Sequence, residues 1–471
     1  MDTETFRRLG HFLVDWIANY RRDIREHPVL SAAEPGDLRH ALPEAPPDAP
    51  EPFDAVFADF ERLVMPGITH WNHPRFFAYF PANNSEPSIL AEMMTAALGA
   101  QCMSWQTSPA ATELEQVTMD WLASMLNLPE GFTGCLHDTA SVATLTAVLM
   151  ARERATAFRF REEGAAAEGA DRLRVYASSE AHSSVEKAVF LAGIGRRNLV
   201  KVPTTASLGL DVDALRAAIA SDRERGFEPA CVVATIGTTS TCAVDPLPDI
   251  GAFCADAGVF LHVDAAFAGS LAALPEKRSI LDGLAQADSF VFNPHKWLFT
   301  NFDCSAHFVR DPDLLQATCA IDPEYLKTAH DDDVVNFRDW GIPLGRRFRA
   351  LKLWWVLRSF GVAGIRARLR EGLRLADELA ERLRADSRFE LIHADLGLVC
   401  FRVQRPDLDP DEEDAFNASV LARINASGEA YLTHTRVFGR YVLRIHTAQA
   451  MTTADDVAAA WKVIRQASQG A

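Results

Sequence analysis

Between about residue 85 and residue 310, short β-rich runs alternate with helical stretches, and this alternation limits the possible folds more than any other feature of the chain. The runs include Arg174-Val175-Tyr176-Ala177, Ala230 to Ile236, Val259 to Val263 and Ser289-Phe290-Val291-Phe292. Between them lie segments of helical periodicity, among them Ser183 to Leu191 and Val212 to Asp222. Strands separated by helices do not pair as tight hairpins, so the pattern predicts an α/β fold, a mostly parallel sheet with helices on both faces. Ligands of such sheets gather at the carboxyl ends of the strands, and that edge is where chemistry is sought first.

The flanks read differently. Phe6, Leu9, Phe12, Leu13, Trp16, Ile17, Tyr20 and Ile24 make a wide helical stripe at the N-terminus. A Pro-rich connection follows, with Pro35, Pro43, Pro46, Pro47, Pro50 and Pro52, and it reads as an extended strap. A helix this apolar on such a tether needs a covering surface, and the expectation is a second subunit, with docking onto its own chain as the alternative. After Arg349 a long helical stretch, Leu351 to Leu383, leads to short strands near Leu396–Val403 and Tyr441–Ile445 and to a final helix over roughly Thr453 to Gln466, a smaller α+β region. Ala165 to Ala170, small and acidic, reads as an exposed loop.

Charge and cysteine usage exclude whole classes. The 47 basic and 64 acidic residues leave a net charge of −17, so the basic footprint of a duplex-binding protein is missing. No uncharged apolar run approaches the ~18–20 residues that cross a bilayer. The N-terminus lacks the apolar core and small-residue cleavage site of a secretory signal. The eight cysteines are scattered without a C-x-x-C pair, so no metal is expected, and a reducing cytoplasm is the expected setting. A P-loop, a G-x-S-x-G elbow and an H-E-x-x-H motif are all missing, and Gly193-Ile194-Gly195 lacks the third glycine of a dinucleotide fingerprint.

Four clusters remain, each with two readings. Lys296, in Asn293-Pro294-His295-Lys296-Trp297, follows a β-rich run; it is either a surface lysine or a partly buried amine suited to a Schiff base. Asp264, in His262-Val263-Asp264-Ala265-Ala266, either caps a helix or holds a proton on a pyridine nitrogen. Thr139-Ala140-Ser141 opens a helical run, as a plain cap or a phosphate site to which Gly237-Thr238-Thr239 adds a hydroxyl. His182 begins a helix and either stacks on a ring or satisfies the helix start. All four fall at strand ends of one sheet, which is what a cofactor with a phosphate, a pyridine nitrogen and an aldehyde would require.

These blocks, together with FRRLGHFLVDWIANY, GITHWNHPRFFAYFPA, SWQTSPAATELE, AHSSVEKA, NFDCSA, DPEYLK, IPLGRRFRALKLW and GLVCFRV, make the chain similar to the aromatic L-amino acid decarboxylases, pyridoxal-phosphate-dependent enzymes of fold type I. The resemblance covers essentially the whole chain. It implies a mostly parallel seven-stranded sheet in a large domain at 85–352, an N-terminal helical dimerisation segment at 1–84 and a small C-terminal α+β domain at 353–471.

It also implies roles. Lys296 would carry pyridoxal 5'-phosphate, with His295 beside it. Asp264 would hold the ring nitrogen, Ala266 would pack on the ring and His182 would stack on its other face. Thr139, Ala140, Ser141, Thr239 and Asn293 would line the phosphate. Tyr325 would govern protonation of the carbanion. Trp71, Tyr79, Phe80, Pro81, Ala82 and Met103 would form the aromatic substrate pocket, part of it supplied by the partner in a homodimer. Gly345 stands where the related histidine decarboxylases carry serine, leaving room for a catechol or indole. Ala82 and Met103 replace a hydroxyl and an aromatic of the animal members, and the segment between Tyr325 and Arg338 is two residues shorter than theirs. The implied reaction is decarboxylation to an arylalkylamine. The alternatives are an aromatic aldehyde synthase, disfavoured by the retained Tyr325 and His182, and a non-catalytic cofactor-binding protein.

Overall fold

The computed structural model describes residues 1–321, 323–331 and 333–469. Asp322 of the DPEYLK block and Asp332, within the shortened segment, lie outside the described residues. The chain forms two compact units, one of Ala82–Ala376 with His393–Val399, the other of Met1–Pro81, Asp377–Ile392 and Cys400–Ala471.

The larger unit holds seven strands: β1 (Thr133–His137), β2 (Leu173–Ser178), β3 (Leu199–Val202), β4 (Glu228–Thr235), β5 (Phe260–Asp264), β6 (Ser289–Phe292) and β7 (Ser305–Val309). Their order is β1-β7-β6-β5-β4-β2-β3. Strands β6, β5, β4, β2 and β3 are mutually parallel, and β7 runs antiparallel to both β6 and β1. Because β7 reverses twice, β1 runs in the same direction as the parallel set. The carboxyl ends of β1, β2, β4, β5 and β6 therefore share one edge of the sheet. Every residue of β2, β5, β6 and β7 is buried, as expected where helices cover both faces.

The expected helices form at Ser183–Leu191 and Val212–Glu224. The helical stretch after Arg349 spans Arg349–Ala385 but is broken at Gly361, whose φ of 61° is left-handed and open to glycine without strain. The 165–170 segment leaves Ala165, Ala166 and Glu168 exposed, as expected of a surface loop, but its 3₁₀ turns bury Ala167 and Ala170.

In the smaller unit the order is β10-β11-β9-β8, with β8 (Phe389–Asp395), β9 (Leu398–Val403), β10 (Thr433–Val437) and β11 (Arg440–His446); the tip joining β8 to β9 is grouped with the larger unit. Helices Pro410–Ala426 and Ala454–Ala467 carry the capping boxes Asp409/Glu412 and Thr453/Asp456. The N-terminal helix Thr3–Arg22 starts on Asp2, which accepts the Thr5 amide at 2.8 Å. Its own chain covers part of its stripe: Phe12 meets Phe57 edge-on at 4.9 Å and Trp16 meets Phe60 at 5.6 Å, while Phe6 stays 67% exposed. The strap is not wholly extended, because Asp37–Ala41 forms a short helix inside it. Among the described residues no helix is long and apolar enough to cross a membrane.

Candidate active site

The shared edge of the larger sheet gathers the predicted residues because each sits at or just past a strand's carboxyl end. Strand β5 ends in Asp264, which is buried; its Oδ1 accepts the Ala266 amide at 3.0 Å. This is a local turn rather than a helix cap, so the carboxylate is not spent on capping. Neighbouring strands fix its position: the Ile236 amide donates to Asp264 O, the Ala265 amide to Val291 O and the Asn293 amide to Ala266 O, all at 2.9–3.0 Å.

After β6 the chain turns into the short helix Pro294–Trp297, and Lys296 is half-buried there. Its backbone is pinned from a distant part of the sequence. Asn83 Nδ2 donates to Lys296 O at 2.5 Å, and the Asn83 amide donates to His295 O at 3.0 Å. Trp297 is buried and stacks on Phe267 with ring centroids 4.9 Å apart. Gly397, at φ 81°, admits it: a Cβ there would lie 2.5 Å from the indole. His295 is buried and accepts the Cys304 amide on Nδ1 at 2.9 Å; burial drives its pKa down to about 3, so it is a neutral structural ring.

His182 caps the helix Ser183–Leu191, its Nδ1 accepting the Ser184 amide at 3.2 Å. An amide can only donate, so in the neutral ring the proton sits on Nε2. The ring has exposed surface, yet enough protein surrounds it that desolvation is the main cause lowering its pKa; Asp264 opposes this and Lys296 adds to it. His182 thus lies near enough to feel the charges of both Asp264 and Lys296.

Thr139 is the N-cap of the long helix Ala140–Thr156 but makes no side-chain capping bond; the Val142 amide turns to Thr139 O at 3.1 Å, and the Ala140 and Ser141 amides stay available among the described residues. Its own amide and hydroxyl go instead to Asp138 Oδ1, at 2.6 and 3.3 Å. Ala140, Ala143 and Val291 form a small apolar cluster with Ala266 packed on it, linking the helix start to the Asp264 turn. Ser141 is exposed, and so is Thr239, whereas Thr238 is buried and spent on its own turn with Thr241 at 3.1 Å. Asn293 Oδ1 is buried without a hydrogen-bond partner among the described residues.

The remaining predicted residues fall elsewhere. Tyr325 is 76% exposed on a 3₁₀ turn, Met103 and Ala82 are half-buried, and Gly345 is exposed. Trp71, Tyr79, Phe80 and Pro81 belong to the smaller unit. There Trp71 stacks on Tyr79 at 5.7 Å, and the Tyr79 hydroxyl meets that of Tyr431 at 3.2 Å.

Sequence reasoning missed Asn83, Asp138 and a buried polar ladder inside the sheet. The ladder runs from Thr144 Oγ1 to His262 Nε2 (3.3 Å), His262 Nδ1 to Ser289 Oγ (2.9 Å), Ser289 Oγ to His307 Nε2 (2.7 Å) and His307 Nδ1 to His137 Nε2 (3.2 Å). It ends at Cys135 Sγ, 3.6 Å from His137. The alternation in Cys135-Leu136-His137 was a signal for two polar groups on one strand face, but their partners follow only from the strand order.

Residues 35–404 match the pyridoxal-dependent decarboxylase conserved domain. The aromatic-L-amino-acid decarboxylase of Cavia porcellus is 41% identical over 479 residues, 99% of this chain and 98% of that protein. The phenylacetaldehyde synthase of a Rosa hybrid cultivar is also 41% identical, over 487 residues, covering 100% of this chain and 95% of that one. The crystal structure of Oryza sativa TDC with PLP and tryptamine superposes with a TM-score of 0.96 at 37% identity, covering 99% of this chain and 98% of that one.

Proposed function

The chain belongs to the pyridoxal-dependent decarboxylases, and we propose that within this family it removes CO2 from an aromatic L-amino acid to give the corresponding arylalkylamine. The observation that carries the reading is the convergence on one sheet edge of a half-buried lysine, a buried carboxylate and a histidine that feels the charge of both.

The residues present fit pyridoxal 5'-phosphate. An uncapped helix start suits its phosphate, the unpartnered Asn293 Oδ1 is a buried polar atom that a ligand can satisfy, and the small residues Ala140 and Ala266 leave space for a flat ring. When bound, the cofactor supplies a sink for the electron pair that remains on Cα after CO2 departs. Lys296 would hold it, and the Asn83 bonds to the backbone keep that amine in place. Asp264 would keep a proton on the ring nitrogen, a charge-assisted contact that strengthens as electrons arrive. His182 would stack across the ring, with its Nε2 proton facing away from the helix it caps. Tyr325 would return a proton to Cα, and its exposed turn leaves it room to move.

A homodimer in a cytoplasmic setting completes the reading. Helix Glu86–Leu98 leaves Leu90, Met93, Met94 and Leu98 at 42–59% exposure, an apolar stripe suited to a second subunit. All eight cysteines are free, which suits a reducing compartment.

Overall identity does not separate amine from aldehyde production, since the aldehyde synthase is as similar as the decarboxylase. The retained Tyr325 and His182 favour the amine. The test is CO2 release from tryptophan, 5-hydroxytryptophan, DOPA, tyrosine and phenylalanine, with histidine and glutamate as controls, assayed together with hydrogen peroxide and ammonia. Amine with CO2 and no peroxide supports the reading. Equimolar peroxide and ammonia assign the aldehyde synthase reaction instead, and no CO2 from any aromatic acid overturns the proposal.

A further inference from the structure

The eight cysteines carry no metal signature along the chain, yet strand pairing assembles one at the end of the polar ladder. Strands β1 and β7 run antiparallel with Cys135 directly opposite His307, and alternation puts His137, two places along β1, on the same face. All three residues are buried, and one ligand atom from each lies within 4.8 Å of the other two. Cys135 Sγ is 3.6 Å from His137 Nε2, and that nitrogen is 3.2 Å from His307 Nδ1. A tetrahedral zinc ion, bonded at about 2.3 Å to sulfur and about 2.0 Å to nitrogen, holds its ligands about 3.3–3.6 Å apart, so both separations fit.

The surroundings suit such an ion. A metal-bound imidazole donates its other N–H to a fixed acceptor, and the ladder supplies one. With His307 Nδ1 on the ion, its Nε2–H donates to Ser289 Oγ at 2.7 Å and the Ser289 hydroxyl donates to His262 Nδ1 at 2.9 Å. His262 Nε2–H then donates to Thr144 Oγ1 at 3.3 Å, so the whole ladder runs in one direction as support for one ligand. Gly341 admits the His137 ring, since a Cβ there would lie 2.8 Å from His137 Cε1. Burial pushes the Cys135 thiol up, but a bound cation ionises a coordinating thiol outright. Arg346 and Arg349 act on the cluster and oppose a cation there; each is already paired, with Glu115 at 2.6 Å and Asp303 at 2.8 Å.

We propose that Cys135, His137 and His307 form a buried structural zinc site, one thiolate and two imidazoles that lock β1 to β7. One sulfur and two nitrogens select zinc over magnesium or calcium, which take oxygen ligands. On binding, the thiol proton leaves to solvent and the sulfur lone pair forms the bond to the ion. The ligands meet only when the two strands pair, so the binding free energy adds to folding. The site is independent of the decarboxylation proposed above.

The experiment uses the full, cofactor-loaded chain, expressed with Zn2+ or, separately, with Co2+ and then dialysed against EDTA. The wild type is expected to retain about one Zn2+ per chain and, with Co2+, to show the visible d–d bands of a tetrahedral ion. Cys135→Val and His307→Gln should each lower the retained metal at least ~10-fold and abolish those bands. Cys400→Val, which removes a buried thiol of the smaller unit, should keep both. Where a ligand variant does not fold, the wild type carries the test alone, its urea midpoint standing higher in Zn2+ than in EDTA. A wild type that retains no metal, a midpoint indifferent to Zn2+, or metal kept at the wild-type level in both ligand variants overturns the proposal.

Discussion

His262 and Asp264 stand two places apart on β5, both are buried, and by strand alternation both point to the same face of the sheet. Their surroundings differ in one respect. Both ring nitrogens of His262 are taken, by Thr144 and Ser289, as part of a ladder that crosses β5, β6, β7 and β1. Asp264, where the strand ends, gives one oxygen to a local amide, and among the described residues nothing bonds the other. The same polar chemistry is complete in the sheet interior and incomplete at its edge. Unspent bonding capacity, more than residue type, marks the functional group.

The sharpest way to break the comparison is to remove Asp264. Asp264→Ala should cost at least ~10³-fold in kcat/KM, about 4 kcal/mol of transition-state stabilisation, and leave the urea midpoint nearly unchanged. The check is CO2 release measured beside equilibrium unfolding. Turnover within a few-fold of wild type would show that the carboxylate at the edge is as structural as the histidine behind it.

Acid should act on the other region. Burial holds His262 and His307 at about pKa 3, with the His307 charge adding a smaller depression to His262; His137 is likewise pushed well below its ordinary 6.5, mainly by burial. A histidine depressed on folding contributes stability that is complete above the unfolded pKa of 6.5 and is lost as pH falls toward 3, because the unfolded chain binds a proton that the folded one refuses. Each such ring steepens the loss by up to ~1.4 kcal/mol per pH unit in that window. His73, His295 and His446, also near 3, act in the same direction. Urea midpoints at pH 7.5, 6 and 5 should therefore fall steadily, and a flat series would mean that these rings meet water or protons in the folded state.

The same contrast explains how much was legible in the sequence. Strands β4, β5 and β6 stood out because parallel strands buried on both faces become continuous apolar runs. Strand β3, Leu199–Val202, is short and only its last residue is buried, and β10, Thr433–Val437, alternates His and Arg with threonine, so neither carried a signal. The five-residue helix Asp37–Ala41 was hidden for the same reason, since none of its residues is buried. Lys296, Asp264 and His182 were legible because each lies in a linear block at a strand end. Asn83 was not, because its bond to Lys296 O spans 213 positions. The ladder was invisible for want of the strand order: His262 and Ser289 are register partners, but β1 joins only through β7.

The smallest expected effect tests the ladder alone. Ser289 is its central rung, with its hydroxyl between His262 Nδ1 and His307 Nε2 at 2.9 and 2.7 Å. A hydroxyl can donate once and accept once along this line, so Ser289→Ala strands two buried ring nitrogens while removing a single oxygen. The cost should be about 1–3 kcal/mol of stability, read as a lower urea midpoint with an unchanged slope. Turnover of the folded, cofactor-loaded variant should stay within about two-fold of wild type, because Asp264 is held by backbone bonds to β4 and β6 that this change leaves in place. A variant of normal stability but impaired turnover would reverse the assignment, placing the ladder in the chemistry and showing that a complete set of hydrogen bonds does not mark a group as structural.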